Sequence, residues 1–373
     1  MIICLHIYIK ITGEIMRILF YISTIQGGGA ARVMVNLANS FFKNGEQVYF
    51  VINLSTDHDY ELCKGIDCFV LDLNDRTKNK LRRTIDRVTG LRKLIKNIKP
   101  DICVSFMKEN NYRLLVANIG LQPKTIVSVR NDPNKVYGKG IKRLFSYVVL
   151  GLSDGIVFQT DDAKDYFPSF IRKKSEVIMN EVSDSFYSKN SNHGSYFLAA
   201  GRLSKQKNYP MLLEAFKIAC DHHPDIKLKI YGEGKLLVQL KQLSESLNIS
   251  SNVSFEGFSN DMMSVYSDAI CLLLSSDYEG VPNTMLESLA ASVPVISTDC
   301  PCGGPRMIIQ NSINGYLVPL GDSEAFADAI EKVINDVSLH EILKQGAYNT
   351  AQQYRADKIH AKWNVYFHKI IAS

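Results

Sequence analysis

Short apolar runs alternate with amphipathic segments along most of the chain. The apolar runs are typical of buried strands, and the amphipathic segments are typical of helices packed on a sheet. In the first half we predict a strand at about residues 16–23, a Gly-rich turn, and a helix through Val33, Leu37 and Phe41 that ends at Gly45. Further strands are predicted at residues 48–54, 101–106, 125–129 and 155–158. This order predicts a parallel sheet with helices on both faces.

The alternation is interrupted at residues 183–195, which are rich in Ser, Asn and Gly and have the composition of a linker. It then resumes, and we predict strands at residues 196–200, 227–231, 253–256, 269–274, 293–297 and 315–319. The helices predicted in this half span residues 209–220, 236–247 and 324–336. Two such halves predict an α/β protein with two Rossmann-like domains facing a cleft. In such sheets, ligands bind at the carboxyl ends of the strands.

The composition is that of an ordinary globular protein. With 373 residues, of which 46% are hydrophobic and 22% charged, the chain is long enough for two cores and is not typical of a disordered one. Its net charge of +5 is too small to indicate a nucleic-acid partner by itself. The cysteines form no Cys-x-x-Cys pair, so we expect free thiols in a reducing compartment rather than a zinc site. No apolar run reaches the roughly 18 residues expected of a transmembrane helix.

Residues 1–15 are apolar but lack the basic start and the Ala-x-Ala cleavage site of a signal peptide. Met16 opens the first predicted strand. We therefore expect Met16 to be the true start and residues 1–15 to be a start-site artefact, the alternative being a tail that touches a membrane.

A Gly-rich turn, Gly27-Gly28-Gly29, connects the first predicted strand to its helix. Glycines at the N-terminus of a helix let the backbone approach a phosphate, which the helix dipole favours. A dinucleotide fingerprint is disfavoured, because Arg32 replaces its third glycine and Asn53 stands where the second strand would end in an acid. A tight turn without a ligand is the alternative.

The second half begins with a basic loop at residues 201–208, between a predicted strand and a predicted helix. Arg202 and Lys207 of this loop could hold a diphosphate, the arginine as a planar fork and the lysine as a point charge. A solvated basic loop is the alternative.

The most informative stretch is residues 275–287, which leave a predicted strand, turn at Gly280-Val281-Pro282 and enter a helix. We expect Glu279 at the turn and Glu287 about two turns into the helix. Carboxylates accept hydrogen bonds from sugar hydroxyls, so the pair could hold two sugars of one ligand, or one glutamate could act chemically. A solvated face is the alternative for either glutamate.

Four segments together resemble the large family-4 group of retaining glycosyltransferases. They are residues 27–32, Gly201-Arg202-Leu203 with Lys207, the Glu-x7-Glu pair Glu279 and Glu287, and Asn-Gly-Tyr-Leu-Val-Pro at residues 314–319. The resemblance extends over residues 16–355. The run at residues 299–306 is similar to bacterial members that build cell-surface polysaccharides.

The resemblance implies the GT-B fold, with two facing Rossmann-like domains. Residues 16–185 would form the acceptor-binding domain, and residues 186–355 the domain that binds the donor nucleotide. Residues 356–373 are expected to form a C-terminal helix that crosses back to the first domain. No cofactor is implied.

The resemblance also implies roles for individual residues. Arg202 and Lys207 would bind the donor diphosphate, Glu287 the ribose hydroxyls, and Glu279 the transferred sugar. Beside the phosphate and the sugar would lie Gly28, Gly29, Gly280, Val281, Asn283 and Thr284. The nucleobase would stack near Tyr231, Gly232 and Phe258.

In one respect the chain departs from this group, where many members carry a His in a first-domain loop that reaches the donor sugar. Here Arg130 or Asn131 could take its place. Retaining transfer of this kind is thought to proceed by same-face attack assisted by the leaving phosphate, so no protein nucleophile is required.

Asp57-His58-Asp59 has the Asp-x-Asp form of a metal motif, but we interpret it as a solvated turn. Because Arg202 and Lys207 can neutralise the diphosphate, we expect no metal.

Residues 76–99 form a basic amphipathic stretch with Asp86 as the one acid. Its basic residues are Arg76, Lys78, Lys80, Arg82, Arg83, Arg87, Arg92, Lys93, Lys96 and Lys99. A helix with a charged outer face is one interpretation. Attraction to an anionic lipid surface is the other, and it would suit an acceptor carried on a lipid diphosphate.

We therefore expect a bacterial enzyme of the cytoplasm, peripheral on the inner face of the membrane, with no nucleic-acid partner. It would transfer a sugar from a nucleotide-sugar donor, a UDP-sugar, to a lipid-linked saccharide acceptor in cell-surface polysaccharide biosynthesis. The alternatives are a UDP-sugar epimerase of the same fold and a non-catalytic module that binds membranes or nucleic acid.

Overall fold

The computed structural model describes residues 15–26, 28–55, 60–71, 79–187 and 194–373. Within these ranges the first sheet has seven strands in the order β3-β2-β1-β4-β5-β6-β7, and the second has six in the order β10-β9-β8-β11-β12-β13. All strand pairs in both sheets are parallel. The predicted α/β class with two Rossmann-like domains is therefore confirmed.

The strands of the first sheet are β1 Arg17–Ile22, β2 Gln47–Ile52, β3 Asp67–Val70, β4 Ile102–Phe106, β5 Lys124–Val129, β6 Gly155–Phe158 and β7 Ser175–Val177. Those of the second are β8 Tyr196–Ala200, β9 Leu228–Tyr231, β10 Val253–Gly257, β11 Ala269–Leu274, β12 Val295–Thr298 and β13 Gly315–Val318. The hydrophobic pattern did not predict β3 or β7. β3 is an exposed edge strand and β7 has three residues, so neither has the apolar run of a buried strand.

The α-helices of the described first half are α1 Gly29–Lys43, α2 Lys80–Ile98, α3 Lys108–Asn118, α4 Pro133–Val136, α5 Ile141–Gly151, α6 Asp161–Asp165 and α7 Ser169–Arg172. Those that follow are α8 Tyr209–His222, α9 Leu237–Ser246, α10 Met262–Ser267, α11 Asn283–Ala290, α12 Gly304–Ile308, α13 Ser323–Asn335, α14 Val337–Ala351 and α15 Ala356–Ile371. Short 3-10 turns occur at residues 184–186, 205–207 and 352–354.

The two faces of the first sheet are covered by different helices, because successive side chains of a strand point to opposite faces. On β1, Leu19 and Tyr21 pack in one cluster with residues of α2 and α3. Ile18 and Phe20 pack in another cluster with residues of α1 and α15. Helices α5 and α7 join the same side as α3, through a cluster that contains Leu115, Leu150 and Ile171 together with β5 and β6.

The last helix, α15, lies against the first domain. Phe367 stacks on Phe41 of α1 with ring centroids 4.9 Å apart, and the Tyr366 hydroxyl donates to the Lys174 carbonyl at 2.7 Å. Trp363 is buried and stacks on Phe106 at the end of β4. Residues 184–187 and 351–355 lie side by side where the chain passes between the domains, with Arg355 paired to Asp184 at 2.6 Å.

Candidate active site

Loops at the carboxyl ends of β8, β9 and β10 lie side by side at one edge of the second sheet. Gly232 donates to the Gly257 carbonyl at 2.7 Å, and Gly201 donates to the Tyr231 carbonyl at 2.9 Å. A Cβ on Gly232 would lie 2.0 Å from the Gly201 oxygen, so only glycine permits this backbone approach. Phe258 follows Gly257 and is 71% exposed, which leaves its ring open to solvent beside Gly232.

The basic loop after β8 is tied to the loop after β11 by four hydrogen bonds, one of which Gln206 Nε2 donates to the Tyr278 carbonyl at 2.9 Å. Asp277 donates its amide to the Gln206 carbonyl at 2.8 Å, and Asn208 donates its side-chain amide to Asp277 Oδ1 at 2.8 Å. The Ser275 hydroxyl donates to the Lys207 carbonyl at 2.8 Å. These bonds fix the position of the basic loop against the segment that carries Glu279.

Lys207 and Glu279 form a largely buried ion pair at this junction. Lys207 Nζ lies 2.7 Å from Glu279 Oε1, and the two side chains are 16% and 11% exposed. The Ser276 hydroxyl also donates to Glu279 Oε1, at 3.0 Å. Arg202 is exposed in the same loop. The structure therefore brings Lys207 and Glu279 into direct contact, which sequence reasoning did not foresee, and their roles at a donor site stay a prediction.

The backbone of Glu279 is held by the loop that follows β12. Glu279 donates its amide to the Pro301 carbonyl at 2.6 Å, and its carbonyl accepts from the Cys302 amide at 2.8 Å. Burial, with a smaller contribution from Glu279, raises the pKa of the Cys300 thiol to about 12, and burial raises the pKa of Cys302 to about 11. Both thiols are therefore protonated at neutral pH, which makes them poor nucleophiles and poor metal ligands.

Glu287 lies on α11 and is paired with Arg32 of the first domain. The Arg32 guanidinium donates to Glu287 Oε1, and the Tyr266 hydroxyl donates to Oε2 at 3.2 Å. The Glu287 side chain is 5% exposed, so its charge is balanced by this partner. Because α11 begins at Asn283, Glu287 is slightly more than one turn into the helix, and the expected two turns is wrong. Sequence reasoning considered Arg32 only as a departure from a dinucleotide fingerprint and missed the pair.

Asn180 is buried between the two domains and makes hydrogen bonds to residues of both. Sequence reasoning missed it. Its side-chain amide donates to the Val281 carbonyl at 3.0 Å and to Asn283 Oδ1 at 2.6 Å. Its Oδ1 accepts from Gln159 Nε2 at 2.9 Å and from the Arg130 guanidinium. The signal available in the sequence was weak, since a single Asn after a three-residue strand belongs to no motif that we recognised.

Arg130 stands at the end of β5, and its guanidinium carbon lies 4.4 Å from the centre of the Phe106 ring. Burial lowers the pKa of Arg130 and nearby Glu181 opposes that shift, but a guanidinium remains protonated at neutral pH. Its Nη1 is buried and has no hydrogen-bond partner among the described residues. Asn131 is turned inward on its own loop, where its Oδ1 accepts from the Asp132 amide at 2.8 Å.

The first-domain glycines meet the second domain at Asn283. The Asn283 side-chain amide donates to the Gly29 carbonyl at 3.4 Å, and a Cβ on Gly29 would lie 2.7 Å from Asn283 Nδ2. Gly280 is equally confined, because a Cβ there would lie 2.4 Å from Gln159 Oε1. Gly28 precedes α1, and Gly27 lies outside the described residues. Small residues at these positions allow the two domains to approach closely.

Several other predicted positions surround α11. Val281 is buried and Thr284 lies in the first turn of the helix. Pro282, the N-cap, contributes no capping side chain to α11. The Thr284 hydroxyl is buried without a hydrogen-bond partner within the described ranges.

No group of three His, Cys, Asp or Glu side chains with the geometry of a metal site occurs among the described residues. Asp57-His58-Asp59 lies outside them, so the interpretation of this string as a solvated turn stays a prediction. In the same described part of the chain, each helix is too short or too polar to cross a bilayer.

Comparison with known proteins gives matches in sequence and in structure. Residues 184–350 match the family model described as glycosyl transferases group 1. The chain is 29% identical to an alpha-1,4-N-acetyl-D-galactosaminyltransferase of Campylobacter jejuni, over 93% of this chain and 97% of the relative. The name of that relative gives its substrate as a GalNAc-GalNAc-diNAcBac-PP-undecaprenol saccharide. This chain is also 25% identical to an amylovoran biosynthesis glycosyltransferase of Erwinia amylovora, over 72% of this chain and 78% of that relative.

Among solved structures, the HepE protein of Anabaena in complex with UDP and glucose superposes with a TM-score of 0.81 at 14% identity. That match covers 95% of this chain and 100% of the other. At this identity the likeness defines the fold, which is GT-B. Together with the match of the second domain to group 1, the comparisons support a glycosyltransferase of GT-B fold.

Proposed function

We propose that this chain is a retaining glycosyltransferase that uses a nucleotide-sugar donor, a UDP-sugar, and a lipid-linked saccharide acceptor. The observation that carries the proposal is the Lys207–Glu279 pair at the cleft, with Arg202 in the same loop and Glu287 on the helix that follows. Cations for a diphosphate and carboxylates for hydroxyl groups are the two kinds of group that a nucleotide-sugar needs. The group 1 match covers all four residues.

In this proposal Arg202 and Lys207 bind the donor diphosphate and stabilise the charge that grows on it as the glycosidic bond breaks. Glu287 binds the ribose and Glu279 the transferred sugar. Arg130 lies beside the same turn, since its backbone oxygen would be 3.1 Å from a Cβ on Gly280. The first-turn amides of α11 and the buried Thr284 hydroxyl add donors near the phosphate.

The reaction that we propose needs no protein nucleophile. The bond between the anomeric carbon and the diphosphate oxygen breaks, and the acceptor hydroxyl oxygen bonds to the same face of that carbon. The hydroxyl proton passes to the departing phosphate oxygen. Lys207 and Ser276 both contact Glu279 Oε1, so the charge of this carboxylate is balanced by the lysine.

Two comparisons support the choice of substrates. The HepE complex contains UDP and glucose, and another neighbour of TM-score 0.78, Staphylococcus aureus TarM, was solved with UDP. The Campylobacter jejuni relative is named for a saccharide linked through PP to undecaprenol. We accordingly propose a role in the biosynthesis of a polysaccharide or a lipid-linked oligosaccharide.

The direct test is donor turnover followed by thermal unfolding with candidate nucleotides. We expect transfer of radiolabelled sugar from a UDP-sugar to a diphosphate-lipid saccharide. UDP at 100 times its Kd should stabilise the protein by roughly 2.7 kcal/mol. Conversion of the donor to its epimer without transfer would instead identify an epimerase. Absence of any nucleotide stabilisation by UDP, GDP or ADP would indicate a non-catalytic module.

We predict that activity persists in excess EDTA, because Arg202 and Lys207 neutralise the leaving diphosphate. Initial rates should stay within about twofold of the untreated enzyme, far less than the 10²–10³ that loss of one essential electrostatic contact costs. Loss of activity that Mg²⁺ or Mn²⁺ restores would contradict the proposed site.

We also predict that helix α2 contributes to binding of anionic vesicles. Lys93 and Lys96 are exposed on it, whereas Arg92 is engaged with the Ala117 and Ile119 carbonyls at 2.8 and 2.7 Å. Replacing both lysines by Glu removes two basic residues, each contributing about 1 kcal/mol near the surface, and adds two acids. Vesicle binding should therefore weaken by at least about 30-fold at low salt. The same change at Lys235 and Lys241, exposed on the second domain, is the matched control. Equal effects of the two pairs would favour a helix with an ordinary charged outer face.

A further inference from the structure

Helix α5 and the residue that follows it expose an apolar stripe on the first domain. The exposed fractions are 83% for Ile141, 62% for Leu144, 59% for Phe145, 63% for Val148 and 54% for Leu152. At one residue per 100° of helix these side chains occupy a sector of roughly 100°. Ser146, Val149 and Leu150, on the opposite side of the helix, are buried. The helix is therefore apolar on both its inner and its outer surface.

The exposed stripe continues onto the neighbouring helices. Phe145 makes an edge contact with Tyr112 of α3 at 5.9 Å, and Ile119 just after α3 is 55% exposed. On the other side, Phe170 of α7 is 53% exposed and lies against Gly151. Single exposed apolar residues are ordinary on a protein surface, but a contiguous group on adjacent helices indicates a binding surface.

The segment that contains α5 carries only basic charges. Residues 133–153 contain Lys135, Lys139, Lys142 and Arg143 and no Asp or Glu. The basic helix α2 lies on the same side of the sheet, where Arg92 contacts the end of α3. A surface that combines apolar side chains with lysine and arginine fits the boundary between the acyl chains and the headgroups of an anionic bilayer.

We propose that α5 inserts its apolar stripe into the interface of an anionic lipid bilayer, with Lys139 and Lys142 among the headgroups. This anchor is distinct from the electrostatic attraction of α2, because apolar insertion is not screened by salt. A second copy of the chain is the less suitable occupant, since it would cover these basic residues without an acid from the same segment. The biological role of this anchor rests on the proposed lipid-linked acceptor, whereas the insertion itself does not.

The same segment connects the apolar stripe to the cleft. Arg130 follows β5 and lies beside Gly280, and Lys135 of α4 lies 5.4 Å from the centre of the Tyr278 ring of the second domain. Insertion of α5 would thus bring the edge of the cleft to the headgroup region. A diphosphate on a membrane lipid would then lie at the level where the proposed acceptor site opens.

Tryptophan fluorescence tests the insertion directly. The sequence contains one Trp, Trp363, which is buried, so its emission should not respond to lipid. We expect Val148→Trp to emit at shorter wavelength with vesicles of phosphatidylglycerol and phosphatidylethanolamine, and to be quenched by brominated acyl chains. Val238→Trp, at a position 66% exposed on the second domain, is the control that should show neither effect.

Vesicle binding tests the energetic contribution. The variant I141Q/L144Q/V148Q should bind the same vesicles at least about tenfold more weakly, and the defect should persist at about 0.5 M salt, where exposed charges are largely screened. The control V238Q/V337Q/I342Q changes three residues of comparable exposure on the second domain and should bind normally. Both variants should unfold at the wild-type temperature and bind UDP as the wild type does.

Unquenched Val148→Trp on vesicles that bind the protein would overturn the proposal, as would normal vesicle binding by I141Q/L144Q/V148Q. A wild-type dimer in sedimentation that this variant converts to a monomer would identify a second copy as the occupant. Donor turnover in detergent separates this proposal from the proposed function. Failure of turnover with intact vesicle insertion would overturn only the function, and turnover without insertion would overturn only the anchor.

Discussion

Lys207→Ala should slow sugar transfer by about 10²–10³-fold, because the leaving diphosphate loses a preorganised positive charge. The effect should appear in kcat as well as in donor affinity, since the charge on the diphosphate grows as the glycosidic bond breaks. Arg202→Ala should also slow transfer, but by less than Lys207→Ala, because Arg202 is exposed and water can take the place of its guanidinium. The measurement is initial rate against donor concentration.

The structure supplies a matched control in the same loop. Lys205 is exposed, so Lys205→Ala should retain wild-type rates. Removing Lys207 also leaves Glu279 without its ion-pair partner in a largely buried position, which destabilises the fold. The double variant K207A/E279Q removes both charges and should recover the unfolding temperature without recovering the rate. Wild-type turnover in Lys207→Ala would remove this lysine from the proposed site.

The two glutamates should fail in different ways when each is replaced by Ala. Glu287→Ala should weaken binding of free UDP and of the full donor alike, because both carry the ribose. Glu279→Ala should leave UDP binding nearly unchanged and reduce transfer, because free UDP lacks the sugar. Hydrogen bonds to a charged group contribute roughly 1.5–3 kcal/mol, or about ten- to a hundredfold in each case. Calorimetry with UDP and initial rates with the sugar donor measure the two effects.

Arg32 provides an independent check on the role of Glu287. In the structure its guanidinium occupies Glu287 Oε1, so a ribose hydroxyl must share or displace that contact. If displacement is required, Arg32→Ala should bind UDP more tightly than the wild type, whereas Glu287→Ala should bind it more weakly. Glu287→Gln, which keeps the shape of the side chain, guards against misfolding. Abolished UDP binding in Glu279→Ala with normal binding in Glu287→Ala would mean that the two roles are reversed.

Much of the architecture followed from the sequence, because buried parallel strands are continuous apolar runs. β6, β8 and β11 have the predicted bounds, and the other buried strands differ from prediction by one or two residues at an end. The edge strand β3 could not be predicted in this way. Its residues are largely exposed, and it is a strand only because β2 supplies backbone hydrogen-bond partners.

From the sequence alone we predicted that Lys207, Glu279 and Glu287 bind the donor; the structure brings Lys207 and Glu279 together and places Glu287 on α11, while their roles stay predictions. Only the tertiary structure decided how these charges are paired. Arg32 and Glu287 are 255 residues apart in sequence, and Asn180 and Asn283 are 103 apart. Likewise, the apolar positions of α5 are periodic on both faces, so the sequence could not distinguish a buried helix from one with an exposed stripe. Contacts of this kind depend on how the two domains and their helices meet, and local hydrophobic periodicity carries no information about that.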